Sequence, residues 1–146
     1  DKPQAKAQAT VDVPLPSGNS VLRAWCDGSC LGNPGKGGWA VVYEGGQVIT
    51  GAEPLTTNNR MEIRAAIAAL AAVPAGACIE VITDSNLVVK TMTEGWKTAK
   101  NTDLWSELKT LAATRQVTWR WVRGHNGDPM NELADRHARE AAERCH

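Results

Sequence analysis

The sequence predicts an α/β domain built on a mixed five-stranded sheet with helices packed on its faces. Three observations predict it. The runs VLRAWCD, WAVVYE and QVITGAE are rich in strand formers and joined by short, turn-forming connections, as antiparallel neighbours are. The later strand-like runs CIEVITD and VTWRWV are separated from what precedes them by helical patterns, and such crossovers return strands parallel. Apolar residues in the intervening segments recur at helical spacing, as with Ile63, Ile67 and Leu70. The predicted order is β-β-β-α-β-α-α-β-α: three antiparallel strands, then parallel ones.

Each element has its own signals. The first strand runs from Val21 into Asp27, and DGSCLGNPGKGG (27–38) is expected to be a turn-dense loop. A hairpin follows, turning at Gly45-Gly46. The first long helix covers TNNRMEIRAAIAALAAV, with Asn58 as the expected cap and Pro74 and Gly76 as the stop. Its alanines suit close packing. CIEVITD is a buried strand, and SNLVVKTM a short helix capped by Ser85. EGWKTAKN (94–101) is a polar loop. TDLWSELKTLAATR is an amphipathic helix with Leu104, Leu108 and Leu111 on one side. VTWRWV, the loop GHNGDP and a last helix opened by Pro129 complete the chain. Residues 1–19 are rich in Ala, Gln, Pro and Lys without a sustained period and are expected to be a flexible arm or linker; residues 20–146 form the domain.

Composition narrows the function. A chain of 146 residues suits one domain. No apolar run approaches the ~20 residues of a membrane span, so no membrane partner is expected. The opening residues lack the apolar core of a secretory signal. Cys26, Cys30, Cys78 and Cys145 contain no CxxC pair and read as free thiols, which suits a reducing, cytoplasmic setting. Sixteen basic and sixteen acidic residues give zero net charge, a weak argument against nonspecific nucleic-acid binding that leaves a local basic patch possible. Of the six tryptophans, Trp96 alone stands among polar neighbours, Lys97 and Lys100, that favour exposure.

Four carboxylates fall where elements meet loops. Asp27 ends the first strand, Glu62 lies in the first turn of the first long helix, Asp84 ends the fourth strand, and Asp135 lies near the start of the last helix. Sites in α/β sheets gather at such ends. Taken singly, each has an ordinary reading: turn residue, helix-dipole partner, cap, solvated face. If they converge, their mutual repulsion raises their pKa values. A hard divalent cation such as Mg²⁺ or Mn²⁺ would relieve it. Spacing alone does not choose between these readings.

The surrounding words do. DGSCLGNPGKGGWAVV (27–42), TTNNRMEIRAAIAAL (56–70), TDSNLVVK (83–90), GWKTAKNTDLW (95–105) and WVRGHNGDPMNELADRHAREAA (121–142) stand in this order. Together they resemble type 1 ribonuclease H of the bacterial kind over roughly Val21 to Ala142. The resemblance implies the ribonuclease H-like fold, with its mixed five-stranded sheet. It also implies cleavage of the RNA strand of RNA/DNA hybrids, leaving 5′-phosphate and 3′-hydroxyl ends. Two Mg²⁺ ions bound with substrate, or Mn²⁺ in their place, are implied as cofactors, held by Asp27, Glu62, Asp84 and Asp135, with Asp27 bridging both. His125 matches the family's loop histidine, implied to assist proton transfer or product departure.

The same resemblance assigns substrate contacts. Gly28, Ser29, Cys30 and Asn33 match a loop along the RNA minor groove. Asn58, Asn59 and Asn86 match polar contacts in that groove. Thr57 and Asn101 match a pocket gripping a phosphate of the DNA strand, and Trp96 an aromatic against a DNA sugar. The expected partner is the hybrid duplex, and the chain is expected to be a monomer. Arg60 and Met61 are expected to support Glu62. Gly32-Asn33-Pro34-Gly35-Lys36-Gly37 lacks the spacing and the Ser/Thr of a P-loop. Only eleven residues separate Asp84 from Trp96, too few for the extra basic helix of many bacterial members, so a variant without the basic protrusion is expected. Lys90, Lys97, Lys100 and Lys109 are left to supply a smaller basic surface. Two other readings stand beside the nuclease: a silent nucleic-acid-binding module, and a recombinase or transposase core on the same fold.

Overall fold

The computed structural model describes residues 21–124 and 127–145. Nine elements follow one another: β1 (Leu22–Leu31), β2 (Gly35–Tyr43), β3 (Val48–Thr56), α1 (Asn58–Ala71), β4 (Cys78–Thr83), α2 (Asn86–Glu94), α3 (Thr102–Ala113), β5 (Gln116–Trp121) and α4 (Pro129–Arg144). The sheet order is β3-β2-β1-β4-β5. β1 pairs antiparallel with β2 and β2 with β3, whereas β1–β4 and β4–β5 are parallel. The predicted element order and strand directions are the observed ones.

Register decides where the strand ends fall. Cys26 stands opposite Thr83, and Thr83 opposite Trp121. Asp27 and Asp84 therefore each follow a member of the same row across adjacent strands. The sheet presents them side by side although they lie 57 positions apart in the chain.

The two faces of the sheet carry different cores. One face buries Leu22, Ala24, Cys26, Val41, Ile79 and Val81 under α1, with Leu104, Trp105 and Leu108 of α3 closing it. Tyr43 is fully buried there and satisfies its hydroxyl by donating to the Ala69 carbonyl at 2.9 Å. The other face packs Trp25, Val42 and Ile82 against Ala134 of α4. Two glycines set how near the helices come. A Cβ on Gly28 would run into the backbone of Met61 and Glu62, and one on Gly38 into the backbone of Ala138 and Ala142. The alanine-rich buried stripes of α1 and α4 make the same close approach from the helix side.

The caps are local and polar. Thr57 Oγ1 accepts the Arg60 N–H and opens α1. Ser85 Oγ accepts the Val88 N–H and opens α2, and Asp128 accepts from Met130 and Asn131 to open α4 at Pro129. Gly95, left-handed at φ 71°, ends α2, and the chain passes through 95–101 directly into α3 with no further helix between them. That is the short connection expected of a chain without a basic protrusion. No helix among the described residues is long and apolar enough to cross a membrane.

Several expectations need correcting. DGSCLGNPGKGG is mostly strand: β1 continues to Leu31 and β2 begins at Gly35, with Ser29 opposite Gly38 and Cys30 opposite Gly37. Gly28, Gly37 and Gly38, which read as loop punctuation, are places where helices and side chains press on the sheet, whereas Gly32, at φ 90°, is a turn glycine. The α1 cap is Thr57, and Asn58 is the first helical residue, so Glu62 lies just beyond the first turn. Arg60 does not support Glu62; it pairs with Asp103 and Asn101. Of the tryptophans, Trp121 joins Trp96 in being exposed. Cys78 is half-buried and its thiol donates to Gln116 Oε1, and the four cysteines are free thiols as expected.

The Gly38 contact is directly testable. Replacing Gly38 by Ala should push α4 off the sheet and cost roughly 1–3 kcal/mol, as overpacking does. Urea unfolding should show a lower midpoint with an unchanged slope. An unchanged midpoint would mean that α4 is free to shift.

Candidate active site

The site is assembled by three elements. Asp27 lies on β1 and is only 2% exposed. Gly28, next to it, has no side chain to hold α1 away, so the second turn of α1 lies against β1. The contact is sealed by the Gly28 N–H, which donates to Glu62 Oε1 at 3.1 Å. Asp84 enters from the end of β4, one residue past the last ladder position. Ligand atoms of Asp27, Glu62 and Asp84 all lie within 4.8 Å of one another.

Three carboxylates at that distance cannot all carry full charge without cost. Burial pushes Asp27 far above the usual carboxylate range, and the charges of Glu62, Asp84 and Asp135 push it further. Glu62 is likewise raised, by burial first and then by Asp84, with the Gly28 N–H opposing the rise and Asp135 adding to it. Burial also raises the neighbouring Cys26 thiol, and the same carboxylates add to that. Cys26 is thus an inert, neutral core group.

Asp135 approaches Asp27 from α4, outside the trio whose ligand atoms all lie within 4.8 Å of one another. It reaches Asp27 closely enough to raise it, but its Oδ2 accepts from Arg139 Nε at 3.0 Å one turn along α4. His125 lies outside the described residues. The glycines that flank its loop are described: Gly124 packs against Asp84, where an added Cβ would meet Oδ2 at 2.7 Å, and Gly127 is left-handed at φ 82°.

The donor set fits a metal. It is all oxygen, which suits a hard divalent cation. Asp27 Oδ2 is buried with no hydrogen-bond partner among the described residues, and a buried carboxylate oxygen without one is costly. A cation beside Asp27 would satisfy that atom and relieve the repulsion at once.

The residues expected to meet substrate lie around this cluster. Gly28 is buried, and Ser29 and Cys30 are half-buried on the same strand. Cys30 Sγ is turned to the carbonyls of Gly35 and Thr56. Asn33 is exposed at the turn, and its Oδ1 accepts the Asn58 N–H at 2.9 Å, tying that turn to the start of α1. Asn59 and Asn86 are exposed at the N-terminal ends of α1 and α2. Thr57 is engaged as the α1 cap. Asn101 is left-handed at φ 57°, and its Oδ1 accepts from Arg60. Trp96 is 43% exposed. Asn59, Lys97, Lys100 and Asn101 share a concavity of about 290 Å³ with Leu87 and Trp105.

Two features escaped the sequence reading. Arg60 grips Asp103 through both guanidinium nitrogens, at 3.1 and 2.9 Å, while bonding Asn101. The pair holds Asp103 down to about 2 and fixes the Asn101 loop to α1. Residues 60 and 103 lie on separate helices with no shared motif, so nothing in the spacing announces the pair. The second is Trp121, whose indole reaches the Asp84 backbone. Its alternation with Trp119 reads as an ordinary strand face.

A family model described as RNase H matches residues 19–143. The chain belongs to the ribonuclease H family. Ribonuclease H of Polynucleobacter asymbioticus is 48% identical over 144 residues, covering 88% of this chain and 94% of that protein. Ribonuclease HI of Pseudomonas aeruginosa is 50% identical over 127 residues, covering 76% of this chain and 86% of its own. Among solved structures, the N-terminal RNase H domain of Rv2228c from Mycobacterium tuberculosis has a TM-score of 0.72 at 28% identity, covering 85% and 95% of the two chains. LC11-RNase H1, solved in complex with an RNA/DNA hybrid, has a TM-score of 0.70 at 25% identity, covering 84% and 96%. The ribonuclease H fold and the enzyme class are thereby established, and the acidic cluster is one that could bind metal.

The raised carboxylates set a pH dependence. Asp27 and Glu62 bind protons more tightly in the folded state, so their contribution is complete below the ordinary carboxylate pKa and is lost as pH rises. Metal-free protein should therefore unfold at lower urea at about pH 8 than at about pH 5. Asp27→Asn should flatten that dependence and stabilise the protein at the higher pH by about 1 kcal/mol or more, the equivalent of one pKa unit. An equally steep fall in the variant would rule out the carboxylate cluster as its source.

Proposed function

We propose that this chain is an endoribonuclease that hydrolyses the RNA strand of RNA/DNA hybrids, leaving 5′-phosphate and 3′-hydroxyl ends. The observation that carries the proposal is the convergence of Asp27, Glu62 and Asp84 within 4.8 Å, with a buried oxygen among them that has no hydrogen-bond partner among the described residues. The hybrid bound by LC11-RNase H1, a structural relative, supports the choice of substrate. Residues 20–146 form the catalytic domain, and residues 1–19, outside the described part, are an arm or linker. The chain acts as a cytoplasmic monomer.

Asp27, Glu62, Asp84 and Asp135 hold the metal. Two Mg²⁺ ions bound with substrate, or Mn²⁺ in their place, would activate the attacking water and stabilise the leaving 3′-oxygen. β1 and β4 deliver their carboxylates from paired strands, and the Gly28 N–H orients Glu62, so the cluster is fixed before substrate arrives. His125, between Gly124 and Gly127 in sequence, handles a proton or assists product departure.

Substrate contacts divide by strand. Gly28, Ser29, Cys30 and Asn33 follow the RNA groove, where the 2′-hydroxyl distinguishes RNA from DNA. Asn58, Asn59 and Asn86 add polar contacts there. Thr57 and Asn101 grip a phosphate of the DNA strand, with Arg60 orienting Asn101. Trp96 lies against a DNA sugar. Among the described residues, Lys97, Lys100 and Lys109 have no carboxylate within ion-pair distance, so their charges are available to phosphate. Lys90 is paired with Glu94 at 2.8 Å and contributes less.

The deciding experiment is incubation with an end-labelled RNA/DNA hybrid in Mg²⁺, beside EDTA and Asp84→Asn controls. Cleavage of the RNA strand alone, lost in both controls while Asp84→Asn stays folded, is expected. Binding without cleavage in Mg²⁺ and Mn²⁺ would favour a silent binding module. Nicking of duplex DNA would favour a recombinase core.

A further inference from the structure

Trp121 is an anomaly at the edge of the site. It is 46% exposed at the last position of β5, so its large ring gains little from burial. An exposed indole N–H can be satisfied by water and needs no partner in the protein. Here Nε1 is turned inward and donates to the backbone carbonyl of Asp84 at 3.1 Å.

That carbonyl occupies a gap in the backbone pattern. The β4–β5 pairing ends at Thr83 opposite Trp121, and the Val122 N–H makes its last rung to the Thr83 carbonyl at 3.0 Å. The helical bonds of α2 begin one residue later, where Val89 donates to the Ser85 carbonyl. Asp84 thus belongs to neither element. The peptide on its N-terminal side is fixed by the sheet, and Ser85 is fixed by its N–H to Thr83 Oγ1 at 3.1 Å and by its cap. The Asp84–Ser85 peptide is thus held on its N–H side by Thr83 Oγ1 and on its carbonyl side by the indole. Three residues further along, Gly124 lies against the Asp84 carboxylate. The segment 121–124 therefore steadies Asp84 at both ends, carbonyl and carboxylate.

We propose that Trp121 is a positioning residue for Asp84: its indole N–H, acting as a side-chain rung beyond the end of the β4–β5 ladder, fixes the peptide from which the metal-binding carboxylate projects. The proposal rests on the nuclease reading for its kinetic consequence, but not for its structural one.

Two substitutions separate the hydrogen bond from the ring. Trp121→Phe keeps an aromatic ring and removes the donor. Trp121→His can place Nε2–H where Nε1–H stood, because the imidazole and the pyrrole half of the indole share the same path from Cβ. In metal-free protein, the Asp84 carbonyl carbon resonance should move in Trp121→Phe and return toward its original position in Trp121→His. On hybrid substrate, kcat should fall roughly tenfold in Trp121→Phe, the order expected for losing one hydrogen bond. KM should change little, and the histidine variant should recover most of the rate.

An unmoved Asp84 resonance in Trp121→Phe would overturn the proposal, as would equal losses in both variants, which would indicate ring packing. A wild-type protein inactive on hybrids, with the resonance still moving in Trp121→Phe, would sink the nuclease reading and leave the positioning role standing.

Discussion

Asp27 is a carboxylate buried among carboxylates, and the surrounding structure is arranged to keep it there. Left to themselves, Asp27, Glu62 and Asp84 would separate into water. They are held by features that have little to do with charge: a strand register that puts Cys26 opposite Thr83, a glycine that lets α1 lie on β1, and a backbone N–H that fastens Glu62 from behind. The packing of two apolar faces is what supports an electrostatically unfavourable centre. Strain of this kind is a common property of sites built to bind a cation.

The same economy appears away from the carboxylates. Small residues do the positioning, because rigid elements can then touch. Gly38 under α4 lets the helix carrying Asp135 come down onto the sheet, and Gly124 leaves room for the Asp84 side chain. Polar ties do the rest: Arg60 to Asp103 and Asn101, Asn33 to the start of α1, Trp121 to Asp84. Each of these joins an element carrying a carboxylate or an expected substrate contact to a neighbour distant in sequence. A short chain without an extra helix between α2 and α3 has reason to use such ties.

How much of this the sequence discloses depends on whether the cause is local. Strand directions follow from connection lengths, and the Ser85 cap and Pro129 start follow from chemistry within one turn; these were legible. The α1 cap was not, because Thr56-Thr57-Asn58-Asn59 offers four adjacent polar residues and only the path of the chain selects Thr57. The stretch DGSCLGNPGKGG misled for a physical reason: glycine marks both turns and close contacts, and Gly28, Gly37 and Gly38 are contacts. Each acidic residue was legible as an element end, but their meeting depends on register and on helix–sheet distance, which no single segment encodes. The meeting of Asp27, Glu62 and Asp84, and the contacts of Arg60 and Trp121, became visible only in three dimensions.

A divalent cation beside Asp27 would relieve the repulsion stored there. The most direct measurement is thermal unfolding of the metal-free protein, without substrate, across increasing Mg²⁺ at slightly alkaline pH. A ligand that binds only the folded state raises stability by RT ln(1 + [L]/Kd). The wild-type Tm should climb with Mg²⁺, and the climb should be largely lost in Asp84→Asn, whose starting Tm should be higher. A wild-type Tm indifferent to Mg²⁺, or an equal climb in the variant, would contradict this role for the cation.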